Sequence, residues 1–290
     1  MQILANIVVL TSLYALVASG YVLVYKVSRV LNLAHGELMI LGAYLLVATS
    51  AGIASDPLVA IALTAMFSIV VGLSVYLLLM RKMTGQPVLA AVLTTVALGI
   101  LLRGAMVLIW GPRQLNVAAM ISFDNASIAL TDSVRVSTAA LWLVVCTFLV
   151  YLGLLAFLHM SRWGMRMRAS GQNALLAAQR GINLHTVYAL AWTLSTFSGS
   201  LAGVLVTLDS RIDVNMAVIG LKAFPAALVG GLDSLPGALI GAGVIAALEV
   251  LLIHYVNPLL SDVVPFLVLI AILIVRPWGL YGTKEELNRV

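Results

Sequence analysis

An asparagine, a histidine and a glutamate lie close together inside an apolar stretch near the N-terminus. The stretch reads VLNLAHGELMILGAYL, and its polar members are Asn32, His35 and Glu37. Ionisable groups at membrane depth are costly unless they face protein or a water-filled path. Gly36 follows the histidine at a point where the backbone can leave a helix. These four residues are therefore candidates for a solute path or its gate.

Two roles remain open for this cluster. Glu37 and Asn32 could cap broken helix ends through their side-chain oxygens, and His35 could donate to a freed carbonyl. The same groups could instead contribute directly to the path or its gate. Caps of this kind also place polarity beside a path, so the two interpretations overlap.

The composition requires helices that can position such groups inside a membrane. The 290 residues are 62% hydrophobic and 9% charged, with a mean hydropathy of +1.12. These values indicate an integral membrane protein and exclude a soluble domain. We predict an all-α, polytopic transmembrane helical bundle with eight to ten membrane passes, some of them broken or re-entrant. Residues 1–290 are expected to form a single domain.

Seven apolar runs approach the length of about 20 residues that a membrane-spanning helix needs. A shorter run, Val218–Leu232, contains Lys222 and Pro225 and is either a full span or a re-entrant segment. The last run, Val263–Val275, is also short. The seven clear runs are Leu4–Val24, Leu38–Ala51, Leu58–Met80, Val88–Ile109, Thr138–Met160, Val187–Leu208 and Ala238–Ile253.

Basic residues predict the orientation. If Val218–Leu232 crosses fully, most of them fall on one side, which the positive-inside rule makes cytoplasmic. The N-terminus is then outside and the C-terminus is in the cytoplasm. The net charge of +5 follows from this topology and does not indicate a nucleic-acid partner. The residues on the basic side are Lys26, Arg29, Arg81, Lys82, Arg162, Arg166, Arg168, Arg180, Arg276, Lys284 and Arg289.

No catalytic or nucleotide-binding motif accompanies these spans. The chain has no phosphate loop of the form G-x-x-x-x-G-K-[ST], no H-E-x-x-H zinc helix and no G-x-S-x-G elbow. We expect no catalytic residue, metal site or cofactor in this chain. If ATP drives its activity, another chain must hydrolyse it.

The long basic loop at 160–186 predicts a short helix outside the bilayer. Ser170 or Asn173 can cap it, Ala174 to Gln179 can form it, and Gly181 fits the left-handed position after its end. One interpretation is a solvated connector whose arginines hold the topology. The other is a docking helix whose apolar residues enter a groove on a partner, namely Leu175, Leu176, Ala177 and Ala178.

A second Gly- and Pro-rich block follows at Gly220–Ala242. Pro225 and Pro236 are expected to interrupt helices there, and Gly230 and Gly231 permit a tight reversal. Most glycines of the block suit close packing of two segments, but backbone lining the path is the alternative. The candidate path or gate residues of this block are Phe224, Pro225, Gly230 and Gly231.

Arg103 and Glu249 are charged residues in the outer parts of their predicted spans. We predict that they form a structural ion pair. A role in contacting substrate remains the alternative.

Four blocks together resemble closely the permease subunits of ABC importers of the branched-chain amino acid type. They are NLAHGELMILGAY at Asn32–Tyr44, SRWGMRMRA with AAQRGIN in Ser161–Asn183, GLKAFPAALVGGLDSLPGALIGA at Gly220–Ala242, and RPWGLYG at Arg276–Gly282. They stand in the family's order and spacing, and the similarity runs from the first helix to the tail.

The resemblance implies a transmembrane subunit in a bacterial or archaeal plasma (inner) membrane. Its implied partners are a second, related permease, two ABC ATPase subunits that bind ATP and Mg, and an extracytoplasmic solute-binding protein. The loop matches the family's cytoplasmic coupling helix, with Ser170, Gly171, Leu175, Ala177, Ala178 and Gly181 as the coupling residues. Residues 170–173 lack the acidic residue that many members carry, which weakens any specific salt bridge to the ATPase.

The resemblance does not identify the solute. It implies amino acids, because related importers are associated with the branched-chain ones, but similar permeases take other amino acids, urea, amides or small carboxylates. A stand-alone secondary transporter is the alternative function, and it would need coupling carboxylates, for which only Glu37 and Glu249 are available inside spans.

Overall fold

The computed structural model describes residues 1–53, 56–131 and 133–282. A π-helical turn occupies Tyr76–Met80, and two 3₁₀ turns occupy Val214–Met216 and Pro258–Asp262. Strands β1 (Ser127–Thr131) and β2 (Val134–Ser137) form an antiparallel hairpin. The helices are α1 (Gln2–Ser28), α2 (His35–Gly52), α3 (Pro57–Val75), α4 (Arg81–Met83), α5 (Val88–Trp110), α6 (Val117–Met120), α7 (Thr138–Met160), α8 (Arg162–Gln172), α9 (Ala174–Gln179), α10 (Leu184–Asp209), α11 (Ala217–Gly230), α12 (Leu235–Tyr255) and α13 (Val264–Val275).

The prediction of an all-α, polytopic membrane protein is confirmed. Within the described ranges, 6 helices are long and apolar enough to cross a membrane, and two shorter apolar helices end at Gly230 and Val275. Each of the seven clear runs corresponds to one helix, with bounds that shift by a few residues. The predicted basic residues Lys284 and Arg289 lie outside the described residues.

Helix α1 is at the centre of the bundle. It packs against α12, α10, α11 and α7, and its second half is almost entirely buried. Small residues there, such as Ala15, Ala18 and Gly20, allow neighbouring backbones to approach closely. Helices α3, α5 and α7 are mostly exposed and apolar, as expected for helices that face lipid.

The chain breaks between α1 and α2, as the polar cluster predicts. Arg29 ends α1 in the left-handed conformation with φ 55°, and a non-helical segment then leads to His35. The Thr95 hydroxyl accepts a hydrogen bond from the Leu33 amide at 3.1 Å, which satisfies a backbone group that no helix satisfies. His35 lies beside Val17, so α2 begins level with the middle of α1.

The interruption expected at Pro225 is wrong. Helix α11 continues through Pro225 and ends at Gly230, because its small residues are held against neighbouring helices and a proline there bends a helix without ending it. The reversal occurs after Gly231, which has φ 105°, and Ser234 caps α12. The tail, residues 276–282, packs against the C-terminal end of α11, where the Leu280 amide donates to the Val229 carbonyl at 2.8 Å.

Candidate functional site

His35 is fully buried and ties the start of α2 to α1 and α10. Its Nε2 donates to the Val17 carbonyl at 3.1 Å, which leaves Nδ1 to accept from the Ser195 hydroxyl at 3.5 Å. A Cβ at Gly20 or at Gly199 would meet the imidazole ring. Glycines on both neighbouring helices therefore make the space for this ring, and its contacts lie within the chain.

Asn32 is also buried, but its amide is only half satisfied. Its side-chain oxygen accepts from the Ala34 amide at 3.2 Å, and its backbone carbonyl accepts from the His35 amide at 3.3 Å. Its Nδ2 has no hydrogen-bond partner in the part of the chain that the structure describes. Asn32 therefore stabilises the turn that leads into α2, but it does not cap the helix, because the N-cap residue of α2 is Ala34 and no side chain caps it.

Glu37 lies in the first turn of α2 and lines a cavity of about 130 Å³. Its carboxylate lies against Gly99 of α5. Among the described residues this carboxylate accepts no hydrogen bond and forms no ion pair. The cavity is lined by Tyr21, Leu33, Gly36, Glu37, Arg103, Ala217, Val218 and Leu221.

Two glycines bring α2 and α11 together beside this cavity. A Cβ at Gly220 would overlap the Cα of Gly36, and a Cβ at Gly36 would approach the Ala217 carbonyl. The Tyr21 hydroxyl donates to the Gly220 carbonyl at 3.1 Å. Because Gly36 has no side chain, α11 can pack directly against the start of α2.

The predicted ion pair between Arg103 and Glu249 is not formed. Glu249 instead accepts from Lys222 at 3.5 Å, while Arg103 donates to the Asn215 side chain at 2.8 Å. The sequence places both residues in the outer parts of their spans, but it does not reveal which face of each helix they occupy.

The Glu249 carboxylate is instead the centre of a buried polar cluster. Tyr14 donates to it at 2.7 Å and Ser261 at 2.9 Å. Lys222 also pairs with the exposed Asp262 at 2.7 Å, and its ammonium holds the pKa of that carboxyl below its usual range. Sequence reasoning missed Tyr14, Ser261 and Asp262, because they come from an apolar helix and a loop without a recognisable motif.

The predicted path residues of α11 are separated by the structure. Phe224 is half-buried against Tyr21, with ring centroids 5.4 Å apart. Pro225 is buried. Gly230 packs against Gly237 of α12. Gly231 packs against the tail at Gly282, so both glycines lie at the end of α11 away from the Glu37 cavity.

The short helix in the basic loop is confirmed as α9. The Asn173 side chain accepts from the Leu176 amide at 3.0 Å and caps it, and Gly181 has the expected positive φ of 79°. The preceding helix α8 was not predicted from the sequence. Ser170, the other candidate for the cap, lies inside α8.

The residues of the predicted docking face do not share one environment. Leu175 is 70% exposed and Leu176 57%, whereas Ala177 is 5% exposed and packs inside the chain. Ala178 is exposed, and Gly181 has open space around it. The placement of Ala177 on the docking face is therefore wrong, because the helix turns that side toward its own bundle.

Ser170 and Gly171 face the bundle as well. Ser170 is buried, and a Cβ at Gly171 would overlap the Lys26 carbonyl. The Gly171 carbonyl accepts from Arg29 at 3.3 Å. These two residues attach α8 to the end of α1 beside the break that precedes α2.

Comparison with known proteins identifies this arrangement. Residues 3–273 match the model of the branched-chain amino acid transport system / permease component family. The chain belongs to this family. The permease proteins LivH of Salmonella typhimurium and of Escherichia coli K12, named as high-affinity branched-chain amino acid transport proteins, are each 30% identical to it over 98% of this chain and 96% of their own length. BraD of Pseudomonas aeruginosa, with the same description, is 29% identical over the same shares.

Membership of this family makes the chain the permease component of a transport system and a multi-pass membrane protein. The permease is therefore a non-catalytic subunit, and its polar groups are to be interpreted as solute contacts or as structural contacts. Within residues 1–53, 56–131 and 133–282, no cluster of His, Cys, Asp and Glu side chains is placed to hold a metal ion.

Proposed function

We propose that this permease forms the translocation path of an ATP-driven ABC importer for amino acids, with branched-chain ones as the first candidates. The observation that carries the proposal is the unpartnered Glu37 carboxylate in a cavity at membrane depth. The cavity opens on a surface where Leu33, Val218 and Leu221 are exposed. A charged group on a lipid-facing surface is costly, so this surface is proposed to face a second, related permease and a water-filled path.

The ATPase subunits are proposed to dock at α9. Its exposed Leu175, Leu176 and Ala178 form the contact face, while Ala177, Ser170 and Gly171 hold the helix to the bundle. The contact from Arg29 to Gly171 supports a transmission route, because Arg29 ends α1 just before the segment that leads to His35 and Glu37. ATP and Mg are proposed to bind to these partner subunits, and no cofactor to this chain.

The proposed orientation in the inner membrane has the N-terminus outside and the C-terminus in the cytoplasm. Its support is a set of contacts at one end of the bundle. Lys26, near the end of α1, donates to the Asp233 carbonyl at 2.9 Å, and the tail binds α11 close by at Val229 and Gly230. The tail and the start of α1 therefore lie at opposite ends of α1. Residues 1–290 are proposed to act as one permease domain that includes the loop at 160–186.

Co-purification and reconstituted transport test the function. The tagged permease is purified from its own membrane, its partners are identified by mass spectrometry, and the complex is placed in liposomes. We expect two ATPase subunits, a second permease and a binding protein, together with leucine uptake that requires ATP. Uptake by the purified chain alone, driven by an ion gradient, would instead establish a secondary transporter.

A further inference from the structure

The cavity beside the start of α2 contains two groups of opposite charge. Glu37 lines it from α2 and Arg103 lines it from α5. Its volume of about 130 Å³ is close to that of an apolar protein cavity of roughly 150 Å³ that binds benzene. It is therefore large enough for the charged end of a small solute, and it opens to the surface beside Leu221.

Helix geometry places Arg103 close to the contact between Glu37 and α5. The Glu37 carboxylate lies against Gly99, and Arg103 follows Gly99 by four residues on α5. Residues four apart lie on the same helix face, and their backbones are displaced by about 6 Å along the axis. Arg103 therefore starts about one helical turn from the Glu37 contact, on the same face of α5, and both residues line the cavity.

Both groups keep hydrogen-bonding capacity for a ligand. Arg103 uses one terminal nitrogen to donate to Asn215, and a guanidinium has five N–H donors. In the described ranges the Glu37 carboxylate accepts no hydrogen bond, and no ion pair joins it to Arg103.

We infer that this cavity binds the two charged ends of a zwitterionic α-amino acid during translocation. The ammonium group is held by Glu37 and the carboxylate by Arg103, while the side chain lies against the apolar rim formed by Leu33, Val218 and Leu221. This inference rests on the proposed function, which it extends by assigning the two charged ends of the solute to Glu37 and Arg103. A solute that lacks either charge leaves one of the two protein groups without its partner, which weakens its binding.

Protection of a cysteine at the rim tests the inference. The experiment uses the full complex without binding protein. Cys146, the one cysteine of this chain, is replaced by Ala, and Leu221 is replaced by Cys. The rate at which a charged thiol reagent modifies Cys at 221 is then measured on this chain. The probes are leucine, leucinamide, which lacks the carboxylate, and 4-methylpentanoate, which lacks the ammonium group. We expect leucine to slow modification several-fold more than either analogue, and Glu37→Gln or Arg103→Gln to remove the difference.

Transport by the same variants gives the second readout. Each variant loses one charge-assisted hydrogen bond, so leucine uptake is expected to fall about ten- to a hundred-fold. Complex assembly and the unfolding temperature are expected to stay near their starting values. Arg113→Gln is the matched control, because Arg113 is an exposed arginine in the loop that follows α5 and is expected to leave uptake unchanged.

The possible failures are distinguishable. Equal protection by leucine and both analogues, or no protection by any of them, overturns the inference. Normal uptake by Glu37→Gln and Arg103→Gln in a functional complex also overturns it and leaves the proposed function intact. A starting complex that neither assembles with ATPase subunits nor takes up leucine rejects the proposed function itself.

Discussion

Two carboxylates lie inside the bundle, and their surroundings differ. Glu249 is buried and accepts hydrogen bonds from Tyr14, Ser261 and Lys222. Glu37 is half-buried, lines a cavity and accepts none from the described residues. Breaking a buried ion pair by removing one partner is destabilising, whereas a carboxylate that accepts no hydrogen bond and lines a cavity is available to a ligand. On the proposed function, Glu249 therefore has a structural role and Glu37 a role in transport.

The largest effect is expected from Glu249→Leu. It leaves the Tyr14 hydroxyl in the interior without its acceptor and removes the buried partner of the Lys222 ammonium, which keeps only Ser261 and the exposed Asp262. The expected cost is about 3 kcal/mol. Thermal unfolding of the purified permease measures the loss. The double variant Lys222→Met/Glu249→Leu is the control and is expected to recover most of the stability, because it removes both buried charges. A single variant as stable as the original chain would contradict the structural role of the cluster.

A smaller effect is expected from Gly220→Ala. The added Cβ overlaps Gly36 and forces α11 away from the start of α2, at a cost of about 1–3 kcal/mol. The unfolding temperature and leucine uptake should both fall, since the Glu37 cavity lies at this crossing.

Gly104→Ala is the matched control for Gly220→Ala. A Cβ at Gly104 meets nothing within 4 Å, and alanine is favoured over glycine in a helix by about 0.5–1 kcal/mol. Its stability should be unchanged or slightly higher. Equal behaviour of the two variants would show that the Gly36–Gly220 contact does not position the cavity.

The comparison extends to α9, where exposure again separates two roles. Leu176→Glu should leave the free energy of unfolding within about 0.5 kcal/mol of its starting value, as is usual for surface changes. It should nevertheless reduce ATPase co-purification. Ala177→Glu places a charge inside the bundle and should lower stability before docking is tested. If Leu176→Glu retains the ATPase subunits and stimulated hydrolysis, the docking face lies elsewhere.

The helices were predictable because composition and length alone indicate a membrane span. The predicted bounds of α5, α7 and α12 lie close to those in the structure. The Asn173 cap and the Gly181 stop were also predictable, since both act through local backbone chemistry. The partners of Glu249 were not, because uniformly apolar helices carry no periodic signal that shows which face is buried. The same ambiguity concealed the internal position of Ala177 and the shared cavity of Glu37 and Arg103.

Pro225 shows the remaining limit. A proline predicts a missing amide and a local bend, but neighbouring helices decide whether the chain leaves the helix there. In α11 the packing of small residues keeps the helix intact to Gly230. The break at Asn32 occurs without a proline, and the side chains of Asn32 and Thr95 satisfy its backbone groups.

The most direct test measures stability and uptake together for Glu37→Gln and Glu249→Gln in the reconstituted complex. Each change removes one charge and keeps the size of the side chain. We expect Glu37→Gln to keep its unfolding temperature and to lose most leucine uptake. We expect Glu249→Gln to unfold at a lower temperature, with uptake falling only in proportion to the folded complex that remains. Normal uptake by Glu37→Gln, or a stable Glu249→Gln complex that cannot transport, would contradict the division between the two carboxylates.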